Sequence, residues 1–216
     1  MKDTLYTGIS SPDKSWIHTP LIAIVPLEDN STLRTMVSQL SDNDILLFTS
    51  RHGVSAWHEA MIAEGCSWRG CAIVSIGSTT TRTLQQLGAR GVMQTEEDNS
   101  YGVIDFFASH FTPKDHHRRI IIPRSDLALN VITEGMAKLG FDNVCPVTAY
   151  HNRMPEDARK VDLTGIGRIV FSSPSTIDNF IRLYGFLPDD IQLCTRGKIT
   201  ENHLKEIFNK INHHKK

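Results

Sequence analysis

The sequence of 216 residues lacks any apolar run that approaches the ~20 residues needed for a membrane-spanning helix. Its first residues, Met1-Lys2-Asp3-Thr4, lead into no long apolar region, so no secretory signal peptide is indicated. Its four cysteines show no CxxC spacing, which disfavours a zinc site and a disulfide framework. We therefore expect a cytoplasmic protein that neither enters nor binds a membrane.

An excess of charge of either sign is also missing. The chain has 23 Lys and Arg against 24 Asp and Glu, for a formal net charge of −1. This balance gives no reason to expect a nucleic-acid partner. The paired histidines His116-His117 and His213-His214 have no third ligand at a suitable spacing, so we predict no metal site.

The sequence does contain a strand–turn–helix pattern. Ile45 to Phe48 is an apolar run of strand length, Thr49 to His52 interrupt it, and helical spacing begins near Gly53. Arg168 to Phe180 repeats this order, and Pro174 suits the first turn of its helix. In such units the polar turn and the first N–H groups of the helix favour an anion.

A second pair of these units follows the first. Ile73 to Ile76 leads into Gly77-Ser78-Thr79-Thr80, and Ile191 to Cys194 leads into Arg196 to Thr200. The offset is 123 residues from Phe48 to Phe171 and 120 residues from Gly77 to Gly197. Two matched pairs at nearly equal spacing predict an internal duplication.

The order of these units predicts an α/β protein with two domains. Helices and strands alternate from Glu28 to Cys145, which is typical of a parallel sheet with helices on both faces. Ile169 to Ile211 offers only two strands, too few for a parallel sheet covered on both faces, and Leu5 to Thr7 is a strand without a near partner. We predict a discontinuous, shortened terminal domain of residues 1–20 plus 152–216, an inserted domain of residues 28–146, and a two-stranded β-ladder linker of residues 21–27 and 147–151.

The finer pattern gives three further expectations. Residues 120–123 form a strand with Arg124 in the turn after it, a helix runs from Leu127 to Leu139, and residues 151–162 are a polar connection. Cationic side chains are expected in four turns that follow strands, at Arg51, Arg124, Arg196 and Lys198. Four such positions point to an anionic small-molecule ligand.

Five motifs in order give the chain a family resemblance. They are Phe48-Thr49-Ser50 with Gly53-Val54, Ile76 to Thr80, Pro123-Arg124 before a helix, Val147 to Tyr150, and Phe171 to Ser175. In this order they resemble the uroporphyrinogen-III synthase family, over about residues 21–200. The resemblance implies two flavodoxin-like parallel-sheet domains joined by a two-stranded ladder. It also implies the closure of hydroxymethylbilane, with inversion of its last pyrrole ring, to uroporphyrinogen III, by a monomer that uses no cofactor or metal.

The resemblance also implies a set of site residues. Tyr150 matches the tyrosine proposed in the family to give a proton to the leaving hydroxyl, and a phenol with a pKa of about 10 is a neutral donor at pH 7. The hydroxyl residues of the family's cleft turns correspond to Ser50, Thr80, Ser173, Ser175 and Thr200. The turn of residues 77–80 adds Gly77, Ser78 and Thr79. Arg51 and Arg124 are candidates to pair with substrate carboxylates. We expect Ser50 and Ser173 to face one shared gap.

Two other functions compete with this one. A non-catalytic protein that clamps a small anionic ligand between two lobes has the same fold, because fold alone does not fix function. A phosphate-transferring domain of the response-regulator kind is disfavoured, since Leu5-Tyr6-Thr7-Gly8 carries no acidic cluster. Local departures from the family pattern are the short segment from Thr7 to Leu21 and Lys198-Ile199 in the last glycine turn.

Overall fold

The computed structural model describes the backbone of residues 3–213 and the side chains of residues 3–210. The chain divides into two compact units. We call Met1–Ala23 with Asn152–Lys216 the terminal unit, and Ile24–His151 the central unit. Within residues 3–213, no helix is both long enough and apolar enough to cross a membrane. The last three residues, 214–216, which include one histidine of the His213-His214 pair, lie outside the described residues.

Within residues 3–213, ten strands form the two sheets. They are β1 (Asp3–Tyr6), β2 (Ile17–His18), β3 (Ala23–Val25), β4 (Ile45–Phe48), β5 (Ala72–Ser75), β6 (Val92–Gln94), β7 (Ile120–Ser125), β8 (Val144–Arg153), β9 (Ile166–Phe171) and β10 (Gln192–Thr195).

The same described part of the chain contains seven α-helices. They are α1 (Ser31–Ser38), α2 (Arg51–Ala63), α3 (Gly77–Gln86), α4 (Ser100–His110), α5 (Val131–Lys138), α6 (Pro174–Tyr184) and α7 (Lys198–His213). Their ends follow local sequence. Ser50 caps α2 and Asn99 caps α4 through side-chain oxygens that accept backbone N–H groups. Pro174 occupies the first turn of α6, where a missing N–H costs nothing.

The central unit is built on a sheet with the order β3-β8-β7-β4-β5-β6. The pairs β4–β5, β5–β6, β4–β7 and β7–β8 are all parallel. Successive strands first run outward from β4 to β6, and the chain then returns to the other side of β4. The order therefore reverses between β4 and β7. In doubly wound sheets, ligands bind outside the carboxyl ends of the strands at this point.

The terminal unit has a four-stranded sheet with the order β10-β9-β1-β2. Its pairs are parallel, and β1 lies beside β9 with Leu5 opposite Ile169. The predicted pairing of the Leu5 strand with the late segment is thus confirmed. The strand order reverses between β1 and β9, so the turns after these two strands occupy the equivalent position in this sheet.

The central sheet buries side chains on both faces. Along β4, Leu46 and Phe48 pack into one core with residues of α1, α2 and α3, whereas Ile45 and Leu47 pack into another with residues of α4 and α5. All four side chains are fully buried. Each such burial stabilises the fold by about 2 kcal/mol. This explains why β4 is apolar throughout, and the predicted parallel sheet with helices on both faces is confirmed.

Several local predictions were wrong. Arg51 and Lys198 were expected in turns, but each is the first residue of a helix, α2 and α7. The strand β7 extends through Ser125, so Arg124 lies in the strand and not in a turn, because its pairing with β8 continues to its end. The helix predicted from Leu127 begins only at Val131, since a turn at residues 126–127 leads into irregular backbone in which Leu127 and Leu129 are exposed. The strand β8 continues to Arg153, so the connection starts later than residue 151. The short strand β2 was not predicted.

Candidate active site

The turn between β4 and α2 is held by Ser50. This residue is extended, with φ −157° and ψ 151°, and its Oγ accepts the backbone N–H of Gly53 at 3.1 Å. Serine is favoured at this position because its oxygen satisfies one of the N–H groups that open a helix. The cap therefore fixes where the first turn of α2, with Arg51 and His52, begins.

Gly53 lets α2 start close to the neighbouring strand. A Cβ atom at this position would lie 2.5 Å from the carbonyl oxygen of Pro123 in β7. Real Cβ atoms do not approach a backbone oxygen so closely, so only glycine allows this contact without a shift. The start of α2 and the carboxyl-terminal half of β7 are thereby brought together where the strand order reverses.

Tyr150 reaches this turn because of an irregularity in β8. Arg124 pairs with Thr148, but the next residue, Ser125, pairs with Tyr150, so Ala149 is the extra residue of a β-bulge. Ala149 and Tyr150 are consequently both buried, whereas regular strands alternate. The phenol oxygen of Tyr150 lies 2.9 Å from Ser50 Oγ. The Asp126 N–H donates to the Tyr150 carbonyl oxygen at 3.2 Å, which holds the bulge in place.

The surroundings favour the uncharged forms of Tyr150 and His52. Burial raises the pKa of Tyr150, the hydrogen bond from Ser50 lowers it and the Asp126 carboxylate raises it, with a net upward shift. Burial, and then the charge of Arg51, lower the pKa of His52. The two rings meet edge to face with their centroids 5.8 Å apart. Near pH 7 the turn thus presents a neutral phenol beside a neutral imidazole.

The two candidate cations differ in how they are held. Arg51 is exposed in the first turn of α2, and its side chain makes no ion pair with any residue from 3 to 210. Arg124 donates to the Leu129 carbonyl oxygen and to Asn130 Oδ1, both at 3.2 Å, and burial lowers its pKa. An arginine remains protonated at neutral pH even so. Arg124 thus fixes the turn before α5, and Arg51 is open to an external anion.

The turn between β5 and α3 presents both exposed and buried side chains. Gly77 opens α3 with φ 74°, a left-handed conformation that favours glycine. A Cβ atom there would lie 3.2 Å from the Asp98 carboxylate, so the space beside Gly77 also favours glycine. Ser78 and Thr79 are exposed, whereas Thr80 is buried.

The terminal unit holds the other predicted hydroxyl groups. Ser173 Oγ and Ser175 Oγ lie 2.9 Å apart, and Asn152 Nδ2 donates to Ser175 Oγ at 3.4 Å. The Ser173 N–H donates to Thr176 Oγ1, which fixes the start of α6. Thr200 is buried in α7, and its hydroxyl donates to the Arg196 carbonyl oxygen at 3.4 Å. Ser173 and Ser175 thus form a half-exposed pair, and Thr200 is engaged within its own helix start.

Among the described side chains, no group of three or more His, Cys, Asp and Glu residues is arranged to hold an ion. The four cysteines are all free thiols. Burial raises the pKa of Cys71 to about 11, which makes this thiol inert near neutral pH.

Comparison with protein families supplies the decisive observation. The family model described as HEM4, uroporphyrinogen-III synthase HemD, matches residues 13–211. The chain belongs to the uroporphyrinogen-III synthase family. Members of this family are enzymes that cyclise hydroxymethylbilane, so the resemblance of the five sequence motifs is confirmed.

Solved structures of this family share the fold. A uroporphyrinogen III synthase from the extremely thermophilic bacterium Thermus thermophilus superposes with a TM-score of 0.66 at 14% identity, covering 95% of this chain and 89% of that one. The enzyme from Helicobacter pylori 26695 gives a TM-score of 0.58 at 12% identity, covering 96% and 89%. The comparison with curated proteins found no match. Identities this low show a common α/β fold with parallel sheets and leave the site residues to be argued from geometry.

Within this family member, the structure brings only some predicted residues together. Ser50 meets Tyr150 directly, and Ser173 meets Ser175. Two neighbours of Tyr150 were missed by the sequence analysis, namely His52 and Asp126. The carboxylate of Asp126 lies 2.9 Å from His151 Nδ1. His52 stands inside the quoted turn motif and was available as a signal, whereas the role of Asp126 depends on the bulge, which no local pattern shows.

Proposed function

We propose that the chain catalyses the reaction of its family, the closure of hydroxymethylbilane to uroporphyrinogen III with inversion of the last pyrrole ring, and that Tyr150 is the proton donor. The observation that carries this assignment is the 2.9 Å contact between Tyr150 and Ser50 at the point where the central sheet reverses its strand order. A buried neutral phenol at this position is suited to protonate a leaving hydroxyl.

A single phenol can supply the one proton that the reaction consumes and take up the one proton that it releases. Tyr150 gives its proton to the substrate hydroxyl, the carbon–oxygen bond breaks, and water leaves with the bond electrons. The pyrrole nitrogen supplies the electrons that the carbon has lost. Inversion through a spiro intermediate makes and breaks carbon–carbon bonds, and the final ring carbon then releases one proton. The phenolate takes this proton back, and its raised pKa makes it an effective base.

Ser50 assists both steps. Its Oγ already accepts the Gly53 N–H, so its own proton is available for the Tyr150 oxygen. Donation in this direction turns the phenol proton outward toward a substrate. It also stabilises the phenolate after the proton has left.

The carboxylates of the substrate require cations and N–H groups. We propose that Arg51 and Arg124 pair with them, and that the turns around Gly77, Ser78 and Thr79 and around Ser173 and Ser175 donate hydrogen bonds. Thr80 and Thr200 are buried, so we propose that they act by fixing the helix starts on which these donors lie. Holding a flexible chain in a cyclising shape contributes much of the rate, because the uncatalysed route closes the ring without inversion.

We also propose the finer architecture that the family resemblance implies. The two units are doubly wound, flavodoxin-like domains of residues 1–20 plus 152–216 and residues 28–146, joined by a ladder of residues 21–27 and 147–151. The position of β3 next to β8 in the sheet order supports the ladder. The terminal sheet, counted within its unit, has the order 2-1-3-4, which supports a flavodoxin-like domain. The central sheet has the order 3-2-1-4-5 beside β3, which is the other common doubly wound order, so the flavodoxin-like assignment is supported for the terminal unit alone. We propose a cytoplasmic monomer that uses no cofactor.

The assay is the isomer produced from freshly made hydroxymethylbilane. The purified full chain is expected to yield the type III isomer, and the reaction without protein yields type I. Only type I in the presence of folded protein would overturn the enzymatic function. Saturable binding of hydroxymethylbilane in that case would support the competing function, a non-catalytic binder of an anionic ligand.

A further inference from the structure

A cavity of about 150 Å³ adjoins Tyr150 within the central unit. Its walls include the apolar side chains of Ile24, Leu27 and Ala149, together with His52 and Tyr150. Apolar walls with a few convergent polar groups are typical of sites for small molecules. An apolar cavity of about 150 Å³ in another protein accommodates one benzene molecule, so this space suits a single aromatic ring and excludes a linear tetrapyrrole as a whole.

His52 supplies a hydrogen-bond acceptor at this cavity. Its ring is half-buried and packs edge to face on Tyr150, and neither ring nitrogen makes a hydrogen bond with any residue from 3 to 210. A neutral imidazole has one nitrogen that donates and one that accepts. Burial and the nearby charge of Arg51 lower the pKa of His52, which favours the neutral form.

The charge of the walls restricts the ligand further. Glu59, two turns along α2 from His52, also lines the cavity, and none of the described residues that line it is Lys or Arg. A carboxylate placed inside would be repelled by Glu59 and would find no cation. A ring that enters must therefore keep any acidic substituents outside, in the direction of solvent.

We infer that this cavity is a subsite for one pyrrole ring of the substrate, whose N–H donates a hydrogen bond to His52. The inference rests on the proposed function, in which the substrate is a chain of such rings with acidic side arms. A ring seated here touches the Tyr150 side chain, so the subsite holds that ring against the phenol. His52 is thus a specificity-determining residue, because it distinguishes a ring with an N–H from one without.

Pyrrole and furan test this inference directly, since the two rings are similar in size and only pyrrole carries an N–H. Each is titrated into the full-length protein, and the side-chain resonances of His52 and Tyr150 are followed by NMR. Both sets of resonances are expected to shift saturably with pyrrole, and one of the two His52 nitrogens should report the new hydrogen bond. Furan should bind about two- to tenfold more weakly, the worth of one hydrogen bond.

Two variants make the comparison specific. His52→Phe keeps a ring against Tyr150 but removes the acceptor, so the preference for pyrrole over furan should vanish. His58→Phe is the matched control, because His58 lies on the same helix, stacks on Trp68 and does not line the cavity. It should keep the preference. In the wild-type titration, equal affinity for the two rings, or no binding of pyrrole, overturns the subsite.

The pyrrole and furan titrations can fail or succeed independently of the isomer assay. If the wild-type chain forms only the type I isomer but prefers pyrrole to furan through His52, the proposed function fails and the ring site stands. If the type III isomer forms and no preference is found, the function stands and the ring site is wrong.

Discussion

The phenol oxygen of Tyr150 lies 2.9 Å from the hydroxyl oxygen of Ser50, although 100 residues separate the two along the chain. The contact joins the end of β8 to the cap of α2. It depends on the bulge at Ala149 and on the close approach of Gly53 to Pro123. The same hydroxyl group therefore supports a helix and a candidate catalytic residue.

Replacing Tyr150 by Phe removes the proposed acid and keeps the packing of the ring. We expect the rate of type III formation to fall at least about 100-fold, because general acid catalysis contributes on that order. The free energy of unfolding should change by about 1 kcal/mol, the worth of one hydrogen bond. Steady-state assays and urea titrations measure the two effects.

Tyr184→Phe is the control for this change. Tyr184 is also buried, and its hydroxyl bonds to the backbone of Val161 within the terminal unit, whereas the proposed acid belongs to the central unit. This variant should lose stability and keep its turnover. A Tyr150→Phe protein with unchanged turnover would remove Tyr150 from the acid role.

Gly53→Ala should disturb the start of α2. The new Cβ would lie 2.5 Å from the Pro123 carbonyl oxygen, so the helix or the strand must shift. We expect a destabilisation of about 2 kcal/mol, as for other overpacked sites, together with loss of activity as Ser50 moves from Tyr150. Gly70→Ala is the comparison, since its Cβ would meet Asp42 only at an ordinary 3.5 Å. Similar unfolding midpoints for the two variants would contradict this prediction.

His52 should make the protein less stable in mild acid. Burial, followed by the charge of Arg51, lowers its pKa below the ordinary value of 6.5, so the unfolded chain binds a proton that the folded chain does not. This contribution leaves stability unaffected well above pH 6.5 and reduces it as the pH falls from 6.5 toward the folded pKa. Urea titrations at pH 7.5 and 5.5 should show a smaller difference for His52→Phe than for the wild-type chain. An identical difference would show that His52 does not titrate in this way.

The ion pair of Asp44 with Arg119 should be important for stability. The Asp44 side chain is 6% exposed, and Arg119 reaches it with two hydrogen bonds of 2.6 and 3.1 Å. Burial raises the pKa of Asp44, but the hydrogen bonds of Arg119 and of the Ser41 N–H, with the arginine charge, lower it below its ordinary value. Arg119→Met leaves a carboxylate buried without its partner and should cost about 3 kcal/mol.

Arg34→Met provides the contrast for this pair. Arg34 bonds to Glu64 at the surface, where an ion pair contributes about 1 kcal/mol or less. Urea unfolding at pH 7 should therefore separate the two variants clearly. Equal losses would mean that the Asp44 carboxylate is not effectively buried.

The sequence contained enough information for the strands and most helices of both sheets. Ile45 to Phe48 is apolar at every position because its side chains enter two cores, and such a run predicts a strand covered on both faces. The pairing of Leu5 with the late segment followed from the need to complete a small parallel sheet. The turn from Ser125 to Asn130 was mistaken for helix, because Leu127 and Leu129 fit a helical spacing although both are exposed.

The sequence by itself determined the family, the α/β class and the nature of the polar turns, since these depend on residues close together in the chain. Tertiary structure alone decided that Tyr150 meets Ser50 and that His52 packs, half-buried, against Tyr150. The bulge that turns Tyr150 inward is a matter of register between β7 and β8, and register depends on hydrogen bonds between distant segments. The burial that shifts the pKa values of His52 and Tyr150 toward their uncharged forms also depends on distant segments, so residues close in the sequence could not predict it.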